Sequence, residues 1–103
     1  MATWVDLCSV GEIPEGEGKS FEVKGKTIGV FQSQGQIRAI DDHCPHMGAP
    51  LSSGHSENGV VTCPWHAWRF RLEDGAWLDN PKIKIGCHKT QLALGRIQVE
   101  EPV

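Results

Sequence analysis

The chain predicts an all-β fold, a stack of short antiparallel strands with two ligand-bearing loops at one end, and three observations lead there. Apolar residues recur in short alternating runs, each bounded by Gly, Asn or Pro, the pattern of strands and hairpins. Nowhere is a 3.6-residue apolar period sustained over helical length. The 103 residues include 12 Gly and 6 Pro with 39% hydrophobic content, which suits a loop-rich β fold better than a helical one. This length supports one modest core, so residues 1–103 are expected to form a single domain.

Taken in order, Thr3-Trp4-Val5-Asp6-Leu7-Cys8 is short and β-rich, and Ser9 to Pro14 turns the chain away. Glu15-Gly16-Glu17-Gly18-Lys19 reads as a flexible loop. It is not a phosphate-binding loop, because no strand–helix context follows and the residues after the lysine do not fit that pattern. Phe21-Glu22-Val23 and Thr27 to Phe31 flank the tight turn Lys24-Gly25-Lys26 and form a hairpin. Ser33 to Gln36 is the next turn, and the strand Ile37 to Asp41 delivers the chain to Cys44. Ser52 to Gly59 is a polar connection ending in the turn signal Asn58-Gly59, after which Val60-Val61-Thr62, a brief buried strand, presents Cys63. Phe70-Arg71-Leu72 and Ala76-Trp77-Leu78 make a further hairpin around Glu73-Asp74-Gly75. Asp79-Asn80-Pro81 reads as a break; Ile83 to Ile85, His88 to Leu94 and Arg96 to Val99 are closing strands.

Charge and termini narrow the function classes. Net charge is −3, the acids are scattered from Asp6 to Glu101, and no basic stripe exists, which argues against a nucleic-acid partner. The acids read mainly as solvated surface, and the mild acidic balance is compatible with basic protein partners. No apolar run is long enough for a membrane helix, and Met1 to Asp6 lacks the basic and apolar stretches of a signal peptide. The expectation is a soluble, cytoplasmic protein with no membrane partner.

Two motifs carry the chemistry. Cys44-Pro45-His46 and Cys63-Pro64-Trp65-His66 each pair one thiolate with one imidazole. Either alone is a weak signal, since short Cys/His pairs also occur in zinc sites. Together they offer two thiolates for one iron of a [2Fe–2S] cluster and two imidazoles for the other, the mixed ligation that separates a Rieske centre from an all-cysteine ferredoxin. A zinc-stabilised Cys2His2 binding module would take the same donors in a tetrahedron. Zinc, however, leaves two proline-bearing loops in an all-β pattern unexplained.

The first motif continues as Met47-Gly48-Ala49-Pro50-Leu51 and the second as Ala67-Trp68-Arg69-Phe70. In this the chain resembles the Rieske family, whose signature is similar to C-x-H-x-G-x-x-L followed by C-P-x-H-G-x-x-F. The likeness is strong over the two loops, about residues 42–54 and 62–70, and rests elsewhere on length and strand pattern. Ala67 stands where the family usually has Gly, so a backbone conformation that Ala tolerates is expected there. The resemblance implies a Rieske-type antiparallel β sandwich or barrel with a small cluster-binding subdomain formed by the two loops, holding one [2Fe–2S] cluster. It implies that Cys44 and Cys63 hold a buried inner iron. His46 and His66 would hold an outer iron near the surface, the one that changes oxidation state. It also makes Pro81 the candidate for a proline-bearing loop over a third side of the cluster.

The family's high-potential members carry an extra Cys in each loop, at positions that match Ala49 and Trp65 here, so the bracing disulfide is absent. Their Ser and Tyr hydroxyls, which donate to sulfur, match Trp68 and Phe70. Fewer donors stabilise the reduced cluster less, so the potential should fall toward the lower end of the Rieske span, about −150 mV. Outside the motifs, Cys8 and Cys87 are expected to be free, buried thiols, and Trp4 and Trp77 core residues. Trp65 is expected to shield the cluster or to present a flat docking surface. Arg69 is expected to bond a backbone carbonyl, or else to dock an acidic partner. His43, His55 and His88 have no second donor at ligand spacing and read as ordinary side chains.

A lone domain of this kind leaves no room for substrate chemistry, because the family's oxygenases add a second domain with a mononuclear iron. The expected function is one-electron transfer, as a component of an oxidoreductase system with no small-molecule substrate of its own. The resemblance implies either a ferredoxin working between a flavin reductase and a terminal oxygenase, or the small subunit of an NAD(P)H-dependent nitrite reductase bound to its large subunit. All four ligand positions are filled, which favours the first.

Overall fold

A computed structural model describes residues 3–42, 50–64 and 68–101. The strands are β1 (Trp4–Ser9), β2 (Gly18–Val23), β3 (Lys26–Ser33), β4 (Gln36–Asp41), β5 (His55–Glu57), β6 (Val60–Thr62), β7 (Arg69–Arg71), β8 (Ala76–Trp77), β9 (Asn80–Lys84), β10 (Cys87–His88), β11 (Thr90–Ala93) and β12 (Arg96–Glu100). Short 3₁₀ turns occupy Val10–Glu12 and Leu51–Ser53. Every pairing between these strands is antiparallel, in three sheets ordered β1-β12-β11, β10-β4-β3-β2 and β5-β6-β7-β8-β9. The all-β expectation is met.

The middle sheet serves as a wall between two cores. Strand side chains alternate between faces, so β3 sends Ile28 and Val30 into one core and Phe31 into the other, while β4 divides Ala39 from Ile40 in the same way. Because both faces are covered, the run Ile28 to Phe31 is buried without a break. One core gathers Cys8, Ile13, Val23, Ile97 and Val99 with the first face; the other gathers Leu51, Val61, Cys63, Phe70, Leu72 and Ile85 with the second. Gly18 belongs to this packing, since a Cβ there would lie 2.4 Å from the Phe31 ring opposite.

Hairpin turns set the register. Lys24-Gly25, Gln34-Gly35, Asn58-Gly59 and Leu94-Gly95 each place two successive residues at positive φ, the geometry whose twist matches paired strands. Glu15 reinforces the second turn by accepting hydrogen bonds from the Gln34 and Gly35 amides at 2.7 and 3.1 Å.

Several boundaries differ from the sequence reading. Gly18 and Lys19 begin β2 rather than ending a loop, and His55–Glu57, read as connection, is β5, paired with β6 from His55↔Thr62 to Glu57↔Val60. Asn80 and Pro81, read as a break, open β9. That edge strand has no neighbour on its outer side among the described residues, and its inner pairs with β8, Asn80↔Trp77 and Lys84↔Ala76, leave 81–83 as an exposed, unpaired bulge where a proline N–H is not needed. Cys8 and Cys87 are both free, as expected, and Cys8 is buried; Cys87 is exposed, because β10 pairs on one side only.

Candidate metal centre

Of the four expected ligands, Cys63 lies among the described residues; Cys44, His46 and His66 lie outside them, as do His43, Ala49, Trp65 and Ala67. What the structure defines is how both ligand-bearing stretches are anchored. β4 ends at Asp41, and the next residue, Asp42, is buried at 4% exposure. Its carboxylate accepts two hydrogen bonds from the far side of the first loop, from the Ser52 amide and the Ser52 hydroxyl, both at 2.6 Å. The Asp42 amide donates to the Thr27 carbonyl at 3.0 Å. Gly29 leaves room for the carboxylate, since a Cβ there would sit 2.9 Å from Oδ1. The ends of segment 43–51 are thereby clamped to β3.

The second loop is closed by backbone. Thr62 pairs with Arg69 across β6 and β7, and the Cys63 amide donates to the Trp68 carbonyl at 2.7 Å. The two stems also touch. Gly54, on the exit of the first loop, lies so close to the entry of the second that a Cβ would come within 2.1 Å of the Thr62 carbonyl oxygen. Leu51 and Cys63, one buried residue from each stem, share one core with Phe31 and Phe70. Beside them Trp68 stacks on Trp77, with centroids 3.8 Å apart and planes 8° off parallel. Trp77 thus packs against the core as expected, with its Nε1 buried and unpartnered, whereas Trp4 is half-buried and lines an open cleft with Arg38 and Glu73.

These observations test the fit of an iron–sulfur cluster. A cluster with a sulfur-bound inner iron needs a cysteine drawn into apolar surroundings and two loops held side by side. Cys63 is free, 2% exposed and surrounded by Val61, Leu51 and Phe70. The residues fit that group: Cys63 at the junction, with Cys44, His46 and His66 carried by the two adjoining segments, is the two-thiolate, two-imidazole donor set. The other described cysteines do not compete. Cys8 lies in the opposite core, and burial, then the Glu12 charge, pushes its thiol above the ordinary value. Cys87 is exposed as a residue, but its sulfur tucks against Gly75, 3.1 Å from where a Cβ would lie; burial, then Asp74 and Asp41, pushes that thiol up as well.

Two features escaped the sequence. Asp42 and Ser52 flank the first motif, and an acid just before a loop with a serine just after it was the signal available for the clamp. Asp41 binds the His88 ring nitrogen at 2.8 Å, Lys26 Nζ at 3.2 Å and the Gly86 amide at 3.1 Å, so His88 is a partner of Asp41 rather than an ordinary side chain. Arg69 is exposed, and among the described residues its side chain makes no hydrogen bond to a backbone carbonyl.

A small β scaffold whose touching stems lead into two Cys/His motifs defines a class of iron–sulfur domain. The model of the Rieske [2Fe-2S] domain matches residues 3–94, and the chain belongs to that family, whose group is a [2Fe–2S] cluster. It is 36% identical over 81 residues to the ferredoxin component of the naphthalene 1,2-dioxygenase/salicylate 5-hydroxylase systems of a Ralstonia species, covering 79% of this chain and 78% of that one. Over 97 residues it is 29% identical to the ferredoxin component of the alkene monooxygenase system of Xanthobacter autotrophicus, covering 93% and 80%. Its structure is similar, at a TM-score of 0.90 and 25% identity, to a Mycobacterium tuberculosis protein described as an NADH-dependent nitrite reductase small subunit, covering 100% of this chain and 98% of that chain.

Proposed function

We propose that this chain is a one-electron carrier of the low-potential Rieske type, a single domain over residues 1–103 that works between a flavin reductase and a terminal oxygenase. The observation that carries the reading is the junction of the two clamped stems at Cys63. Cys44 and Cys63 would bind through thiolate and His46 and His66 through imidazole, and the cluster, when bound, supplies a single-electron couple. The chain's own residues do the rest. Leu51, Val61 and Phe70 keep water from the Cys63 sulfur. The Asp42–Ser52 clamp and the Cys63–Trp68 hydrogen bond fix the loop ends on strands, which limits how far the donors can move when charge changes. Trp68 and Phe70 bring no hydroxyl to the sulfurs, which supports a low potential. Pro81, in the exposed bulge of β9, is our candidate for a cover over the third side.

We place the protein in the cytoplasm; among the described residues no helix is long and apolar enough to cross a membrane. A second reading, the small subunit of a nitrite reductase bound to its large subunit, is favoured by the likeness that spans the whole of both chains. Faster reoxidation of the reduced protein by a ring-hydroxylating oxygenase supports the first reading, and co-purification with a sirohaem-containing large subunit the second. Protein-film voltammetry tests the carrier function itself. A reversible one-electron wave toward about −150 mV is expected; no wave, or a midpoint above about +100 mV, refutes the low-potential carrier.

A further inference from the structure

Among the described residues the three sheets end on β1, β11, β10, β2, β5 and β9. An exposed edge offers unpaired backbone N–H and C=O groups to any other strand, and folds blunt it with charges, proline, bulges or very short strands. All but one of these edges follow that rule. β1 carries Asp6 and a register shift between Asp6 and Cys8, β2 carries Lys19 and Glu22, and β5 ends in Glu57. β9 carries Pro81, Lys82 and Lys84 with a shift opposite Ala76 and Trp77, and β10 is two residues long. β11, Thr90-Gln91-Leu92-Ala93, has no charge, no proline and no register shift.

The same edge leaves apolar surface open. Leu92 is exposed at 58%, and Leu94, in the turn that follows β11, at 103%. Leu92 pairs with Ile97. Directly paired side chains share a face, and Ile97 is fully buried in the core with Val30 and Val99, so Leu92 carries that apolar face past the end of its cover. Thr90 is held at one end, its hydroxyl donating to the Ile37 carbonyl at 3.0 Å, which leaves Gln91 to Ala93 as the open edge.

We propose that a second copy of this chain pairs antiparallel with β11 about a two-fold axis at Leu92. A two-fold pairing is self-complementary and closed, so it stops at a dimer. It sets Leu92 against Leu92 of the second copy and Gln91 against Ala93 of the second copy, while Lys89 falls opposite Gly95 of the second copy, so no like charges meet. A neutral edge with an apolar centre is thereby matched by itself, where an acidic or basic partner strand would find no counter-charge. β11 lies outside the sheet that carries Thr62 and Arg69, so pairing there leaves that sheet uncovered. So short a pairing is far below a standard interface, and the dimer is weak, its population rising with concentration.

Sedimentation velocity of the cluster-loaded chain across about a hundredfold range of concentration tests this. Wild type is expected to move from monomer toward dimer, and Leu92→Lys to remain monomeric throughout. Ile83→Lys changes an exposed apolar side chain on the blunted edge β9 and should dimerise as wild type does. Amide hydrogen exchange should show protection of residues 91–93 rising with concentration. The proposal is overturned by a wild type that stays monomeric, that assembles beyond a dimer, or that dimerises no better than Leu92→Lys, and by concentration-dependent protection confined to another edge. If Leu92→Lys fails to fold, hydrogen exchange of wild type decides alone.

Discussion

At the scale of single residues, the acids that read from sequence as solvated surface divide into two kinds. Asp6 and Glu12 are exposed and pair with Arg96 and Lys19, contacts of small energetic weight. Asp41 is different. Burial works to raise its carboxyl, and the hydrogen bonds from His88 and Lys26, with their charges, outweigh burial and hold it below its ordinary value of 3.8. A depressed carboxyl stabilises the fold above its unfolded pKa and loses that contribution as pH falls through the folded one. Asp41→Asn should therefore cost about 1–2 kcal/mol near neutral pH. The gap to wild type should close as pH drops below 3.8. Urea melts at neutral and strongly acid pH check this, and a gap independent of pH would contradict it. This pair was not legible in the chain because Asp41 and His88 lie 47 residues apart and neither sits in a motif. The four candidate ligands, Cys44, His46, Cys63 and His66, could be picked out because two Cys/His pairs at short spacing in one small chain point to a metal centre.

Among the elements, the hairpins were the most readable and the polar strands the least. Asn58-Gly59 and Lys24-Gly25 announced their turns through glycine, and both adopt the positive φ that glycine favours. β5 was hidden because His55, Ser56 and Glu57 carry no apolar signal; backbone pairing with β6, not side-chain burial, makes it a strand. β9 was hidden by Pro81, which an edge strand tolerates. Three turns place a residue other than Gly or Asn in the left-handed region, at Lys24, Gln34 and Leu94, and Leu94 is the apolar one. Leu94 sits at φ 53 and is fully exposed at 103%, so its side chain gains nothing from packing. A β-turn residue in the left-handed region costs about 1–2 kcal/mol when it is neither Gly nor Asn. Leu94→Asn should raise stability by about 1 kcal/mol, seen as a higher urea midpoint at unchanged slope. An unchanged or lower midpoint would mean that this turn is not strained.

For the molecule as a whole, two cores on either side of one sheet explain where the candidate centre lies. Among the described residues, the core with Cys8, Val30 and Ile97 holds no expected ligand, while the one with Phe31, Leu51 and Phe70 holds Cys63, so a single face of β3 and β4 backs the candidate centre. Sequence pattern placed most of the strands and the two Cys/His motifs, but not how their stems meet: the contact of Gly54 with Thr62 and the reach of Asp42 to Ser52 depend on how the strands pair, which spacing does not encode. The central claim is that those loops hold two irons between sulfur and nitrogen donors. Iron and acid-labile sulfide analysis, joined to EPR of the chemically reduced protein, tests it most directly. The account predicts two irons and two sulfides per chain and a signal on reduction that is lost or altered in His66→Ala; colourless protein containing zinc and no sulfide after anaerobic reconstitution would contradict it.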